Sequence, residues 1–443
     1  MLSVLGNCWA LFLGMGLIML GNGLQGTLLG VRASLENFGT TVTGMMMSGY
    51  FLGLIFGCNF VPRMVWHVGH VRTFGALASL ASTSILVQAV FVDPWIWWAM
   101  RLVTGFAYSG LYIVAESWLN DSADNSSRGQ ILSLYMLVSL GGMAGGQMLL
   151  NAAEPSGFQL FVLVSLLISL ALVPILLSAT RAPFIGAIER VGIISLYRVS
   201  PLGVVGMVVI GMAMGAILAM GAVYATDVGM TVREVSFFMT AMILGGFLFQ
   251  YPLGWLSDRI GRRKVICLSC FSGALISFLA MGLTGQESYF LVVIAAVGGF
   301  SLPLYALCGV HTNDYLTPTQ MVAASGTLVL LSSVGATAGS PIAALAMEIF
   351  GPQAFYGTIG CMLSGVAGFA LWRSTRRTAV VGAEQGEFVV MASTPLAASL
   401  KPDVALEDLE AAIDEDREDI LTSFDELAKD LEAAQDENSE TGQ

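Results

Sequence analysis

The chain is 443 residues long, 56% hydrophobic and only 11% charged, with a mean hydropathy of +0.77 and a formal net charge of −12. Soluble domains carry about a quarter charged residues, so this composition excludes a soluble enzyme and indicates a helical membrane protein with many crossings. The six cysteines fall in or beside apolar runs, and Cys267-x-x-Cys270 has no His or Asp pair near it, so small packing residues are the reading over zinc or redox chemistry.

A transmembrane helix needs about 20 apolar residues. Twelve runs of that kind follow one another, at 5–30, 38–61, 73–92, 95–118, 130–152, 157–178, 202–227, 233–256, 265–284, 288–310, 320–346 and 353–373. The first 31 residues hold no Lys or Arg, so the first run lacks the basic segment of a cleaved signal peptide and reads as a retained span. With both termini inside, 16 of the 19 Lys and Arg fall in cytoplasmic loops or the tail, Arg32 and Arg233 fall outside, and Arg101 lies within a span. That asymmetry sets the orientation by the positive-inside rule.

In the first run Asn22 and Gln25 share a helix face. Arg101, in the fourth, is the one Lys or Arg well inside a span, and its insertion costs about 2.5–3.5 kcal/mol, which favours the bundle interior or water over lipid. Snorkelling to the outer interface is the alternative. Gln147 of the fifth run sits at a similar depth, so Asn22, Gln25, Arg101 and Gln147 predict a polar patch lining a substrate cavity, with Tyr305 of the tenth run added to it. Each amide can equally serve as a hydrogen bond between helices. Glu116 and Asp314, at the cytoplasmic ends of the fourth and tenth runs, read either as gate residues pairing with loop arginines or as solvated helix ends. Asp227 and Glu234 flank the outer end of the seventh and read as caps.

The two halves repeat. Ser34, Thr43, Gly49 and Gly57 recur 197 residues later as Thr231, Thr240, Gly246 and Gly254, and Gly69 recurs at a shift of 192 as Gly261. Leu111-Tyr112 and Asn120-Asp121 recur at 193 as Leu304-Tyr305 and Asn313-Asp314, and Gly141 recurs at 194 as Gly335. Two parallel copies of a six-helix unit are the arrangement of transporters that rock about a midplane site.

Between two apolar runs stands Gly254-Trp-Leu-Ser-Asp258-Arg259-Ile-Gly261-Arg262-Arg263-Lys264. It resembles the cytoplasmic Gly-x-x-x-Asp-Arg-x-Gly-Arg-Arg signature of the major facilitator superfamily. The basic cluster holds such a loop inside, and the glycines allow close helix approach. The resemblance implies that Gly254, Asp258, Arg259, Gly261, Arg262 and Arg263 form a cytoplasmic gate together with Glu116 and Asp314. In the first copy Val61 and Pro62 stand where Asp258 and Arg259 stand in the second, and about five extra residues precede Gly69. With Ala115-Glu116-Ser-Trp-Leu-Asn120-Asp121 and His311-Thr-Asn313-Asp314, the chain resembles the YcaD-like branch. Arg101-x-x-x-Gly105 is similar to the fourth-helix element of proton-coupled members. Gly141-x-x-x-Gly145-Gly146 is close to an antiporter element but lacks its proline, and the eleventh run has Gly335-x-x-x-Gly339-Ser-Pro341; close helix contact is the reading for both.

From 381 onward there are 18 acidic residues against Lys401, Arg417 and Lys429, so the acidity of the chain belongs to its tail. Leu406, Ile413, Ile420 and Leu427 recur every seven residues, as in an amphipathic helix suited to a protein partner or to self-association, with a solvated tail as the plainer reading. Its charge argues against anionic lipid and nucleic acid as partners. The expected protein is all-α and polytopic: a six-helix bundle at 1–178, a cytoplasmic central loop at 179–201, a second bundle at 202–375 and an acidic cytoplasmic tail at 376–443. The expected function is secondary active transport of a small solute across the inner (plasma) membrane, coupled to a proton gradient as the resemblance implies, with no enzyme activity, cofactor or metal. A drug or metabolite efflux antiporter, and a non-transporting receptor or scaffold acting through the tail, stay open as alternatives.

Overall fold

The structure, a computed structural model, describes residues 2–121, 128–177, 192–283, 285 and 287–375. The acidic tail and most of the central loop lie outside these, and with them the expectations made for the tail. The N-terminal half contains α1 (Leu2–Leu35), α2 (Thr40–Val68), α3 (His70–Val90), α4 (Pro94–Asp121), α5 (Arg128–Met148) and α6 (Gln159–Leu177). A short α7 (Ile193–Val199) leads into α8 (Pro201–Asp227), α9 (Val232–Ile260), α10 (Arg262–Ala280), α11 (Phe290–Ser301), α12 (Leu304–Asn313), α13 (Pro318–Phe350) and α14 (Ala354–Ser374). Among the described residues 11 helical stretches are long and apolar enough to cross a membrane, α11 and α12 together making one of them. The fourth expected run lies within α4, which is 28 residues long but carries Arg101, Glu116 and Asp121 and is not among the eleven. Large apolar side chains such as Leu166, Leu170, Phe271, Leu275 and Leu345 point outward, as a surface facing lipid requires.

Helix pairing repeats between the halves. In the first, α2 packs on α4, α1 on α5 and α6, and α3 on α6; in the second, α9 packs on α11, α8 on α13 and α14, and α10 on α14. Close contacts fix the register of this repeat. A Cβ on Gly105 of α4 would run into the Tyr50 carbonyl of α2, and one on Gly298 of α11 would run into the Met242 carbonyl of α9. Gly142 and Gly146 meet the backbone of α1 at Gly16 and Leu20, and Gly335 and Gly339 meet that of α8 at Val208 and Met212.

These contacts correct the sequence alignment at two places. Gly141 is exposed, with nothing for a Cβ to touch, so the partner of Gly335 is Gly142 and the shift there is 193. For the second span, α2 and α9 are both 29 residues long, and Gly69 and Gly261, both at positive φ (+89° and +95°), close them equivalently. The shift is therefore 192 throughout that helix, no five-residue insertion precedes Gly69, and the counterpart of Asp258 is Trp66 rather than Val61. Val61 is buried against α4, where it would meet any Cβ on Gly110, whereas Trp66 is 68% exposed. Matching glycines by identity had outweighed helix length in a chain with 51 glycines.

The halves touch through α2 with α13, α5 with α9, and α1 with α8. The contacts gather at the end opposite the Asp258 loop. Gly44 on α2 lies against Ser340 and Ala344 of α13, and Gly30 of α1 against Ala222 and Val223 of α8. Asp227, read from sequence as a cap, instead accepts hydrogen bonds from Ser34 and Thr40 of the other half, each at 3.4 Å. Glu234 does cap its helix, exchanging hydrogen bonds with Thr231 at the start of α9.

Candidate functional site

A cavity of about 270 Å³ lies between the halves. On α2 its lining residues Tyr50, Phe51 and Leu54 follow the sealed first turns, and on α13 Val329, Ser332, Ser333 and Ala336 precede Ser340 and Ala344 of the seal. The cavity therefore sits on the loop side of that contact. Most of its surface is apolar, and among the described residues no Asp or Glu lines it.

Arg101 provides its formal charge. Small residues bring α4 close enough to α2 for this: the Gly49 position lies 3.3 Å from the Arg101 Cβ, and Gly105, one turn on, nests against Tyr50. The guanidinium carbon stands 4.5 Å from the centre of the Tyr50 ring, a cation–π contact worth about 2 kcal/mol when shielded from water. Arg101 is 4% exposed, and its Nε and one terminal nitrogen have no acceptor. Beside it the Asn22 amide donates to the Tyr112 hydroxyl at 3.1 Å and, more weakly, to that of Tyr50 at 3.5 Å. Burial between helices, rather than at an interface, sets aside the snorkelling alternative for Arg101.

The expected polar patch divides. Asn22 and Arg101 line the cavity, and so does Tyr305 on α12. Gln25 turns instead to Gln88 of α3, amide to amide at 3.4 Å, and Gln147 accepts from the Thr27 hydroxyl, so these two tie α1 to α3 and to α5 and do not line the cavity. Depth along a helix could not separate a cavity amide from a bridging one. The phenols Tyr50, Tyr112 and Tyr135 went unnoticed in the sequence. One signal was available: Tyr112 is the repeat partner of Tyr305 at the shift of 193.

At the loop end, Arg262 is 1% exposed and its Nε lies 2.6 Å from Asp314 Oδ2, joining the start of α10 to the end of α12. Asp258, 37% exposed, stands farther from the same guanidinium at 3.8 Å. Arg259 lies over the Trp255 ring at 3.9 Å, Gly254 is buried in α9, and Gly261 makes the left-handed turn between the helices, with Arg263 following in the first turn of α10. The repeat partner of Arg262 is His70, whose buried ring bonds Ser117 of α4 at 3.1 Å. Glu116 is fully buried and accepts from the Tyr135 hydroxyl at 3.0 Å, which connects this carboxylate to the cavity wall.

This geometry agrees with comparisons to known proteins. Residues 202–406 match the model of the Major Facilitator Superfamily. The MFS-type transporter YE1530 of Yersinia enterocolitica is 25% identical over 346 residues, spanning 77% of this chain and 88% of its own. Over its second half the chain is thus similar to the major facilitator superfamily, and over most of its length to MFS-type transporters. The MFS-type transporter YcaD of Salmonella typhimurium is also 25% identical, over 76% of this chain and 88% of its own. The solved nucleoside transporter NupG superposes with a TM-score of 0.69 at 14% identity, covering 83% of this chain and 99% of that one, a likeness of fold. With 11 apolar helical stretches of membrane-spanning length among its described residues, this is a multi-pass membrane protein similar to a transporter family.

Proposed function

We propose that this protein is a secondary transporter that moves a small solute by alternating access across a prokaryotic inner (plasma) membrane, with the Asp258 loop and both termini in the cytoplasm. The observation that carries the reading is the cavity between two pseudo-symmetric halves, bearing one buried cation and lying beneath a seal at one end. The distribution of Lys and Arg supports the sidedness, because 16 of 19 fall on the loop side or in the tail. In that orientation the sealed end faces outward, and the gate residues around Arg262 and Asp314 close the opposite end in the alternate state.

Proton coupling requires a titratable group in touch with the cavity. Glu116, reaching it through Tyr135, is the carboxylate that meets this requirement. Solute flux in proteoliposomes tests the whole reading with full-length protein and with a chain ended after Thr375. A transporter retains flux without the tail; absence of flux in both forms favours a receptor or scaffold.

A further inference from the structure

The cavity has a chemical signature narrower than "small solute". Its one formal charge is the Arg101 guanidinium, with Nε and a terminal N–H unpaired although the side chain is 96% buried, judged from its 4% exposure. A buried donor without an acceptor is costly, and a buried cation without a counter-charge more so. Tyr50 covers one face of the guanidinium but offers it a ring rather than an anion. Among the described residues no carboxylate lines the cavity, so these supply no neutralising charge there.

The neighbouring polar groups have a matching bias. Asn22 directs its amide N–H₂ toward the hydroxyls of Tyr50 and Tyr112, and the Tyr112 hydroxyl turns its own proton to the Met19 sulfur at 3.9 Å, which leaves the Tyr50 proton to donate. The Tyr50 hydroxyl therefore adds a donor beside Arg101. The rest of the wall is apolar and pliant, with Met19, Met136, Met143 and Met214 contributing unbranched thioethers beside Phe51 and Phe247.

Resting on the transporter reading, we propose that the substrate is an organic monoanion: one carboxylate forked onto Arg101, and an uncharged, largely apolar body held against the methionine and phenylalanine wall. One cation balances one negative charge. A dianion would bring an uncompensated charge into a site of low polarity, a cation would face Arg101 directly, and a neutral polyol would find few partners and leave the guanidinium unsatisfied. Arginine suits this task because its planar fork matches a carboxylate in a bidentate way.

The test uses the purified full-length protein and a panel of short monocarboxylates, among them hydrocinnamate and octanoate, each paired with its amide and its amine; phenylsuccinate serves as the dianion. Thermal stability reports binding, since a ligand of the folded state raises it by mass action. One or more monocarboxylates are expected to stabilise the wild type, while the matched amides, amines and the dianion do not. Arg101→Gln is expected to weaken that binding by about tenfold or more, and Arg101→Lys to retain part of it. Equal stabilisation by an amide or amine, or silence of every monocarboxylate, overturns the proposal, and both are read on the wild type and so survive poor folding of a variant. Carboxylate binding through Arg101 without flux into proteoliposomes would overturn the transporter reading and leave the site intact. Flux of a neutral or cationic compound alone would keep the transporter and remove the anion.

Discussion

Asp227, the last residue of α8, accepts a hydrogen bond at 3.4 Å from Thr40, the first residue of α2 in the other half of the molecule. The N-cap of α2 is Gly39, which has no side chain to satisfy the first-turn N–H groups. Two carboxylates of the opposite half stand there: Asp227, and Glu348 of α13, which accepts from the Thr41 N–H at 3.1 Å. The positive end of α2 is thereby stabilised only while the halves are closed at that end.

Removing these charges should loosen the seal. Each exposed charge at a helix terminus contributes about 0.3–1 kcal/mol, so Asp227→Asn with Glu348→Gln should shift the conformational balance by about three-fold to thirty-fold toward the state open at that end. Labelling rates of single cysteines on the cavity side of the seal, in a background lacking the native six, measure this. Rates unchanged from the parent would assign the closure to apolar packing at Gly30 and Gly44.

The loop end distinguishes two acids that the sequence placed in one gate. Arg262 is buried and its tight partner is Asp314, so Asp314→Asn should leave a buried cation short of its counter-charge and destabilise by about 3–5 kcal/mol. Asp258→Asn, at a partly solvated residue 3.8 Å away, should change stability by about 1 kcal/mol or less, while biasing the gate toward opening at the loop end. Thermal unfolding of the two variants, compared with loop-end cysteine labelling, separates the roles; equal losses of stability would refute the distinction.

The corrected register predicts unequal outcomes for restoring the signature acid in the first half. Trp66→Asp places a carboxylate at an exposed site and should fold normally. Val61→Asp buries one against α4 and should cut the yield of folded protein sharply, because an unpaired charge cannot be accommodated there. Size-exclusion profiles of the two in detergent give the answer.

Two adjacent glycines of α5 give a stricter test of the same register. Gly142→Ala should cost about 1–3 kcal/mol by forcing α5 away from α1, since its Cβ would lie 2.8 Å from the Met19 Cβ. At Gly141, where nothing stands within 4 Å, the same change should be neutral or slightly stabilising through helix propensity. Unfolding midpoints of the two variants decide it, and a larger loss at Gly141 would restore the original alignment.

The proposed proton linkage through Glu116 has a testable outcome of its own. With Glu116→Gln, uptake driven by a pH gradient should fall to the level of downhill exchange, while substrate exchange at equal pH continues, because the cavity wall at Tyr135 remains. Parallel measurement of gradient-driven uptake and counterflow distinguishes coupling from binding. If gradient-driven uptake stays at the parent rate, Glu116 is not the coupling group.

The parts of this molecule legible in the sequence were those where chemistry is scarce. One arginine in a span, one acidic and basic loop between apolar runs, and paired Leu-Tyr and Asn-Asp elements each stand out against an apolar background, and they led to the cavity, the loop and the repeat. Abundant residues misled. Gly49 and Gly57 aligned with Gly246 and Gly254 because glycine is common, whereas the equal lengths of α2 and α9 became visible only in three dimensions. Gln25 and Gln147 show a different limit: partners 63 and 120 residues away decide whether an amide faces a cavity or a neighbouring helix. Asp227 reads as a cap until its neighbours from the other half are known.

The two walls that face each other across the cavity differ in stiffness. In the first half α4 is continuous, and Gly110 is clamped between Val61 and Leu77. At the equivalent place in the second half stands Pro303, which lacks an N–H, and the chain breaks there between α11 and α12. Leu302, Tyr305 and Ala306, around the break, border the cavity. A ligand held by Arg101, as proposed, would be anchored to an unbroken rod and would press upon a jointed one. A longer ligand would then bear on the joint, from which α12 runs to Asp314 and the buried arginine it holds.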